Sequence, residues 1–299
     1  MYDVVIVGGG PAGCAAGLYA ARAGLRALVL TGDEPGGQLG IAEMVENYPG
    51  AGARGGPELA ADMRRDAEQA GAEFRGERAA EVCLGERRVK TGQGTYRGRT
   101  LIYAAGASPR KLGIPGEEAL RGRGVSWCAA CDGAFFRGKD VAVVGGGSSA
   151  VSEALTLSPL CRRVYLLHRR DTLRAERRLT EQLEKADNIS SLWNVQAAAI
   201  LGTKAVTGIA YRELPEGPRR ELPCSGVFIA AGRKPSTELL QGQVELDAGG
   251  YLPADETTRT AVPGVFAAGD VRTKAVRQVV TAVADGAVAA LMAAKFLEA

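Results

Sequence analysis

Cys128 and Cys131, separated by two residues and followed at once by Asp132, are the side chains in this 299-residue chain best suited to chemistry. A C-x-x-C pair closes readily into a disulfide, and a nearby acid or positive end tunes which sulfur ionises. Half of a zinc site and two incidental thiols are the competing readings. Zinc takes about four ligands, and no second C-x-x-C or paired histidine accompanies these two; Cys14, Cys83, Cys161 and Cys224 are scattered. No metal is therefore expected, and the four scattered cysteines are expected to be core or incidental residues. Asp132 is the acid or base at hand, although Asp132-Gly133 is also an ordinary turn signal.

Glycine-rich turns are the second chemical feature. The β-branched run Val4–Val7 leads into Gly8-Gly9-Gly10-Pro11-Ala12-Gly13, then an alanine-rich helical pattern through Leu18, Ala21 and Leu25 that Gly24 stops, then the strand Ala27–Leu30. This is a βαβ unit whose first turn carries G-x-G-x-x-G. Gly8 permits the tight turn, Gly10 lets the backbone approach a pyrophosphate, and Gly13 lets helix and strand pack closely. The same design recurs at Val141–Val144, Gly145-Gly146-Gly147-Ser148-Ser149-Ala150, a helix through Ala154, Leu155 and Leu157, and the strand Val164–Leu167. One such turn is weak evidence; two, each between strand and helix, imply two dinucleotide-binding units.

The residues after each second strand separate the ligands. Beyond Leu167 come His168-Arg169-Arg170-Asp171 and then Arg174. Arginines there suit a 2′-phosphate and favour NADPH over NADH, against the alternative of ordinary surface arginines. Beyond Leu30 come Thr31-Gly32-Asp33-Glu34 and Pro35-Gly36-Gly37-Gln38-Leu39, with no arginine, so no 2′-phosphate is expected there. Near the C-terminus, Val262–Ala268 runs as a strand into Gly269-Asp270, and a helical pattern extends from Arg277-Gln278-Val279 to about Leu297. Asp270 could accept a ribityl or ribose hydroxyl or cap that helix. Related strand-to-glycine phrases occur at Tyr103-Ala104-Ala105-Gly106-Ala107 and at Gly226–Arg233, and suggest crossings between domains.

Composition bounds the rest. A total of 37 basic against 34 acidic residues gives a formal charge of only +3, which argues against a nucleic-acid binder. Forty-one glycines are about twice the usual share, and much of that excess lies at strand-to-helix turns. No stretch reaches the ~18 uninterrupted apolar residues of a membrane span. Met1-Tyr2-Asp3 opens straight into a strand, without a signal-peptide pattern. The expectation is a cytoplasmic α/β protein with no membrane or nucleic-acid partner.

Over essentially its whole length the chain resembles the low-molecular-weight bacterial thioredoxin reductases. The matching segments are Gly8–Gly13, Gly36–Leu39, Glu46-Asn47-Tyr48-Pro49-Gly50, Cys128–Gly133, Gly145–Gly147, His168–Ala175, Gly269-Asp270-Val271 and Arg277-Gln278. The resemblance implies two Rossmann-like dinucleotide-binding domains, the second inserted into the first: 1–112 and 237–299 for FAD, 113–236 for NADPH and the redox cysteines. It implies FAD on Gly8, Gly10, Pro11, Ala12, Gly13, Gly37, Gln38, Asn47, Ala105, Gly106, Gly269, Asp270, Arg277 and Gln278. It places NADPH on Gly145, Gly147, Ser148, Ser149, Ala150, His168, Arg169, Arg170 and Arg174. Electrons would pass from NADPH through FAD to the Cys128–Cys131 disulfide and on to thioredoxin, with Cys131 nearer the flavin, Cys128 attacking the acceptor and Asp132 handling protons. A homodimer is implied, as is a hinge rotation about segments near Leu112–Gly116 and Lys234–Thr237.

Some residues depart from the family's usual pattern. Ser148, Ser149 and Ser152 replace more polar or acidic residues, and Ala105 replaces a common threonine. A ferredoxin-driven relative, a reductase of another disulfide, and a non-catalytic flavin sensor are the alternatives; the intact arginines argue against the first and the intact Cys128, Cys131 and Asp132 against the last.

Overall fold

The computed structural model describes residues 1–33, 35–42 and 44–298, so Glu34 of the first post-strand stretch lies outside the described residues. The chain divides into two compact units, one of Met1–Ser108 with Lys234–Ala299, the other of Pro109–Arg233. The crossings fall between Ser108 and Pro109 and between Arg233 and Lys234.

In the discontinuous unit the chain begins β1 (Tyr2–Val7), α1 (Pro11–Arg22), β2 (Ala27–Leu30), α2 (Gly56–Gln69) and β3 (Glu73–Arg75). It continues through β4 (Ala79–Cys83), β5 (Arg88–Thr91) and β6 (Thr95–Tyr103), and the short β7 (Ala107–Pro109) leads into the first crossing. The sheet order is β3-β2-β1-β6-β5-β4, with β3, β2, β1 and β6 parallel and the β6-β5-β4 edge antiparallel. The late strand Val265–Ala267 joins in parallel beside Leu101–Tyr103 of β6. Val4, Val5, Ile6, Leu28 and Val29 are fully buried, as expected for a parallel sheet covered on both faces. On one face α1 lies against the C-terminal helix Val279–Glu298. The approach is close because both helices are rich in small residues: a Cβ on Gly286 would stand 2.1 Å from the Ala12 carbonyl oxygen. That C-terminal helix is long and apolar enough to cross a membrane by length and composition, with a mean hydropathy of 1.6. Here Ala282, Ala289, Ala290 and Ala293 are buried in the core with Ala12, Ala16 and Ala20 of α1.

The inserted unit contains the short strand β8 (Val125–Ser126), α3 (Ala129–Asp132), β9 (Asp140–Val144), α4 (Ser148–Leu157), β10 (Arg163–Leu167), α5 (Arg177–Glu184) and β11 (Ile189–Leu192). Next come β12 (Val195–Gly202), β13 (Val206–Glu213) and β14 (Arg219–Pro223), which make an antiparallel sheet of their own. With β15 (Gly226–Ile229) the other strands form a parallel sheet of order β11-β10-β9-β15-β8. The short β16 (Arg233–Pro235) carries the chain through the second crossing. Each unit contains a strand, glycine turn, helix, strand run, β1-α1-β2 in one and β9-α4-β10 in the other, with the two strands adjacent in the sheet. Both are thus Rossmann-like.

Candidate active site

In the first unit the glycine turn after β1 opens onto a cavity of about 480 Å³. Its geometry depends on the absence of side chains. Gly8 sits at φ +115°, and a Cβ there would lie 2.2 Å from the Ala104 carbonyl oxygen. A Cβ on Gly13 would lie 1.8 Å from the Gly8 oxygen, so the third glycine seats α1 against the strand rather than lining the cavity. Gly10 is different: its nearest neighbour would be the Gly36 oxygen at 3.8 Å, and it lines the cavity with Pro11 and Ala12. No side chain caps α1 at Gly10 and no acid stands in its first turn. A helix start with unsatisfied N–H groups, open to a cavity through glycine, is suited to a pyrophosphate.

Of the other residues expected in this site, Gly37, Gln38, Ala105, Gly106, Gly269, Asp270 and Gln278 also line the cavity. Asn47 stands behind Gln278, donating from Nδ2 to its Oε1 at 3.2 Å. Arg277 stacks over the Tyr251 ring at 4.0 Å and donates from Nε to the Asp270 backbone oxygen at 3.3 Å, which braces the turn from outside the lining. The alternative of Asp270 as a helix cap is excluded, because the C-terminal helix begins only at Val279. Gly269, at φ +77°, donates its N–H to Asp285 Oδ2 at 3.0 Å, and Lys274 Nζ holds the same oxygen at 2.7 Å. The Ala104–Gly106 turn is pinned by Ser236, whose N–H reaches the Gly106 oxygen at 3.0 Å and whose oxygen accepts the Tyr103 hydroxyl at 2.8 Å.

The structure adds residues to those expected in this site. Thr31, Asp33, Arg78 and Ser236 line the same cavity. The stretch after β2 holds no arginine, but Arg78 enters from beyond β3, where it pairs with Asp33 at 3.3 Å.

In the second unit Cys128 and Cys131 are joined as a disulfide, with Cα atoms 5.3 Å apart, at the start of α3. The turn is held by a compact network. Ser126 Oγ donates to Asp132 Oδ2 at 2.5 Å and accepts the Cys128 N–H at 3.1 Å, while the Cys131 N–H points at Cys128 Sγ at 3.2 Å. Glu153 of α4, absent from the motif, accepts the Ala129 N–H. Among the described residues no cluster of three or more metal-type ligands gathers. Burial pushes the Cys14 and Cys224 thiols up to about 12 and Cys161 to about 11, so these three stay protonated at neutral pH.

The second glycine turn repeats the first in part. A Cβ on Gly145 would meet Ala150 Cβ and the Ala230 oxygen, both at 2.7 Å, whereas Gly147 faces open space. Gly147 precedes α4 without a side-chain cap. Ser149 is exposed, Ala150 is buried, and Ser148 Oγ accepts the Glu176 N–H at 3.1 Å. Arg174 runs beside this turn, its N–H on the Gly146 oxygen at 2.8 Å, and Arg169, Arg170 and Arg174 are all exposed. His168 points inward instead. Its Nε2 lies 3.0 Å from the Thr172 oxygen, and its ring fills the space a Cβ on Gly146 would need. Burial, reinforced by the neighbouring arginines and opposed by the Thr172 bond, lowers its proton affinity and keeps the ring neutral.

A disulfide beside a carboxylate in one dinucleotide-type unit, and a cavity at an uncapped helix start in another, define a disulfide oxidoreductase working with nucleotide cofactors. Residues 2–286 match the family model described as pyridine nucleotide-disulphide oxidoreductase, and the chain belongs to that family. It is 45% identical over 302 residues to the thioredoxin reductase of Treponema pallidum, covering 99% of this chain and 97% of that one. It is 44% identical to that of Listeria monocytogenes, covering 100% and 94%. Among solved structures, the thioredoxin reductase of Streptococcus pyogenes MGAS5005 superposes with a TM-score of 0.93 at 40% identity, covering 100% and 98%. That of Giardia duodenalis gives 0.93 at 37% identity, covering 100% and 99%.

Proposed function

We propose that the chain is an NADPH-dependent thioredoxin-disulfide reductase, a cytoplasmic homodimer carrying FAD. The observation that carries this reading is the Cys128–Cys131 disulfide with Asp132 beside it, in a chain similar along its full length to thioredoxin reductases. FAD belongs in the cavity of the first unit, its pyrophosphate at Gly8, Gly10, Pro11 and Ala12 with Gly13 seating the helix. Gly37, Gln38, Asn47, Ala105, Gly106, Gly269, Asp270, Arg277 and Gln278 form or brace the remaining wall. NADPH belongs at Gly145, Gly147, Ser148, Ser149 and Ala150, with Arg169, Arg170 and Arg174 taking the 2′-phosphate and His168 shaping the turn from below. Bound together, the two cofactors supply the electron pair that opens the disulfide.

The chain's own residues do the rest. Cys128, as thiolate, attacks the thioredoxin disulfide and forms a mixed disulfide, releasing one thioredoxin thiolate. Cys131 then attacks Cys128 Sγ, the second thioredoxin thiolate leaves, and the Cys128–Cys131 bond closes. Asp132, held by Ser126, passes the proton between the sulfurs and solvent. Val280 and Leu291, about three turns apart on one side of the C-terminal helix, are exposed apolar side chains that suit a subunit contact.

Anaerobic addition of NADPH to the purified flavoprotein, with thioredoxin added second, tests the reading. The flavin absorbance should bleach and then recover. Bleaching by reduced ferredoxin alone would overturn the donor, and bleaching without recovery would overturn the acceptor. Cys131→Ser should still bleach with NADPH yet lose turnover by at least ~10³-fold; retained turnover would refute the relay.

A further inference from the structure

Glu153 is a carboxylate that neither the motif nor the proposed relay uses. It stands on α4 in the second glycine-turn helix, yet its Oε2 accepts the N–H of Ala129, the residue directly after Cys128. It is half-buried on the side of α4 that meets the α3 turn. A half-buried carboxylate bound to the main chain of a redox turn does two separate things. It fixes the backbone from which Cys128 Sγ projects, and it places a negative charge one residue from a sulfur that becomes charged when the disulfide opens.

We propose that Glu153 is a positioning residue for the redox pair, anchoring the Cys128-Ala129 turn and, by its charge, favouring the thiol over the thiolate at Cys128. The inference rests on the reading of Cys128–Cys131 as the working disulfide. Opening that bond takes two electrons and leaves two sulfurs that together accept two protons; an ionised neighbour favours uptake of the second. The groups facing Glu153 are Asp132 on α3 and Arg233 at the end of the unit. Burial raises the proton affinity of Glu153, with Asp132 adding to it, while the Ala129 N–H and Arg233 oppose the rise.

Alkylation of the dithiothreitol-reduced flavoprotein with iodoacetamide, monitored from pH 5 to 10 by mass spectrometry of the Cys128 peptide, tests this without NADPH or thioredoxin. Glu153→Gln keeps an acceptor for the Ala129 N–H but removes the charge, and the alkylation midpoint of Cys128 should fall by about one pH unit. Glu153→Asp keeps the charge and should leave the midpoint near that of the parent protein. A Glu153→Gln profile that superimposes on the parent overturns the proposal. So does an Asp variant that shifts as far as the Gln variant, which would mark a packing effect. A pair that dithiothreitol cannot reduce would overturn the redox reading itself and this inference with it.

Discussion

Glu77 illustrates how much of the cofactor cavity depends on single side chains outside any motif. It is buried, accepts the Thr91 hydroxyl at 2.5 Å and the Tyr96 hydroxyl at 2.8 Å, and through its own backbone oxygen accepts the Gly32 N–H at 3.1 Å. The segment it holds delivers Arg78 to the cavity wall. The Thr91 bond, helped by Tyr96 and Arg75 and opposed by burial, holds its carboxyl below the usual range. A carboxylate whose folded value lies below its unfolded one contributes stability above the ordinary carboxylate range, and loses it as pH falls through the folded value. Glu77→Gln should therefore lower the melting temperature at pH 7, with the gap to the parent narrowing below pH ~4. Thermal unfolding across that range checks it; a gap that does not change with pH would contradict it. Glu77 and Arg78 were not legible in the sequence because they reach the site only through the parallel pairing of β3 with β2, far from the glycine fingerprint. Cys128, Cys131 and Asp132 were legible because their chemistry is contained within five consecutive residues. Glu153 belongs with Glu77: its partner lies on another element, and no local spacing announces it.

At the level of elements, the glycines of one turn have different physical duties, and substitution should separate them. Gly13→Ala would drive a Cβ to 1.8 Å from the Gly8 oxygen, so α1 must move off β1. Overpacking of this kind costs about 1–3 kcal/mol or more, and the variant should lose melting temperature even without cofactor. Gly10→Ala meets nothing closer than 3.8 Å and its backbone, at φ −78°, suits any residue. It should fold normally and lose FAD affinity, because the added methyl points into the cavity. Flavin content and apoprotein melting together distinguish the two; a Gly10→Ala protein that retains full flavin would place the pyrophosphate elsewhere. The βαβ elements carrying these turns were legible because strand, turn and helix are contiguous and each has its own period. The antiparallel sheet β12-β13-β14 and the β4-β5 edge were not. Their pairing partners are chosen by tertiary packing, and strands such as Arg219–Pro223, largely exposed, have no buried periodicity to declare them.

At the scale of the molecule, each unit has its own core and its own glycine turn, so the two cofactors should be separable as stabilising ligands. One core gathers Val4, Ile6 and Val29 with Phe266; another gathers Val141, Val143, Leu166 and Phe228. A ligand that binds only folded protein stabilises the region that holds it by about 2.7 kcal/mol at a hundredfold excess over its dissociation constant. FAD added to apoprotein should slow amide exchange across β1, α1 and the Ala104–Gly106 turn. Adenosine 2′,5′-bisphosphate should instead slow exchange across β9, α4 and β10, because its 2′-phosphate reports on Arg169, Arg170 and Arg174 where they flank the second turn. Adenosine 5′-monophosphate, lacking that phosphate, should protect the same region at least about tenfold less well, since each charge-assisted pair contributes roughly 1.5–3 kcal/mol. Equal protection by both nucleotides would show that the arginines are surface charge and that the second unit does not distinguish NADPH from NADH. Protection by the bisphosphate confined to the first unit would reverse the assignment of the two sites altogether.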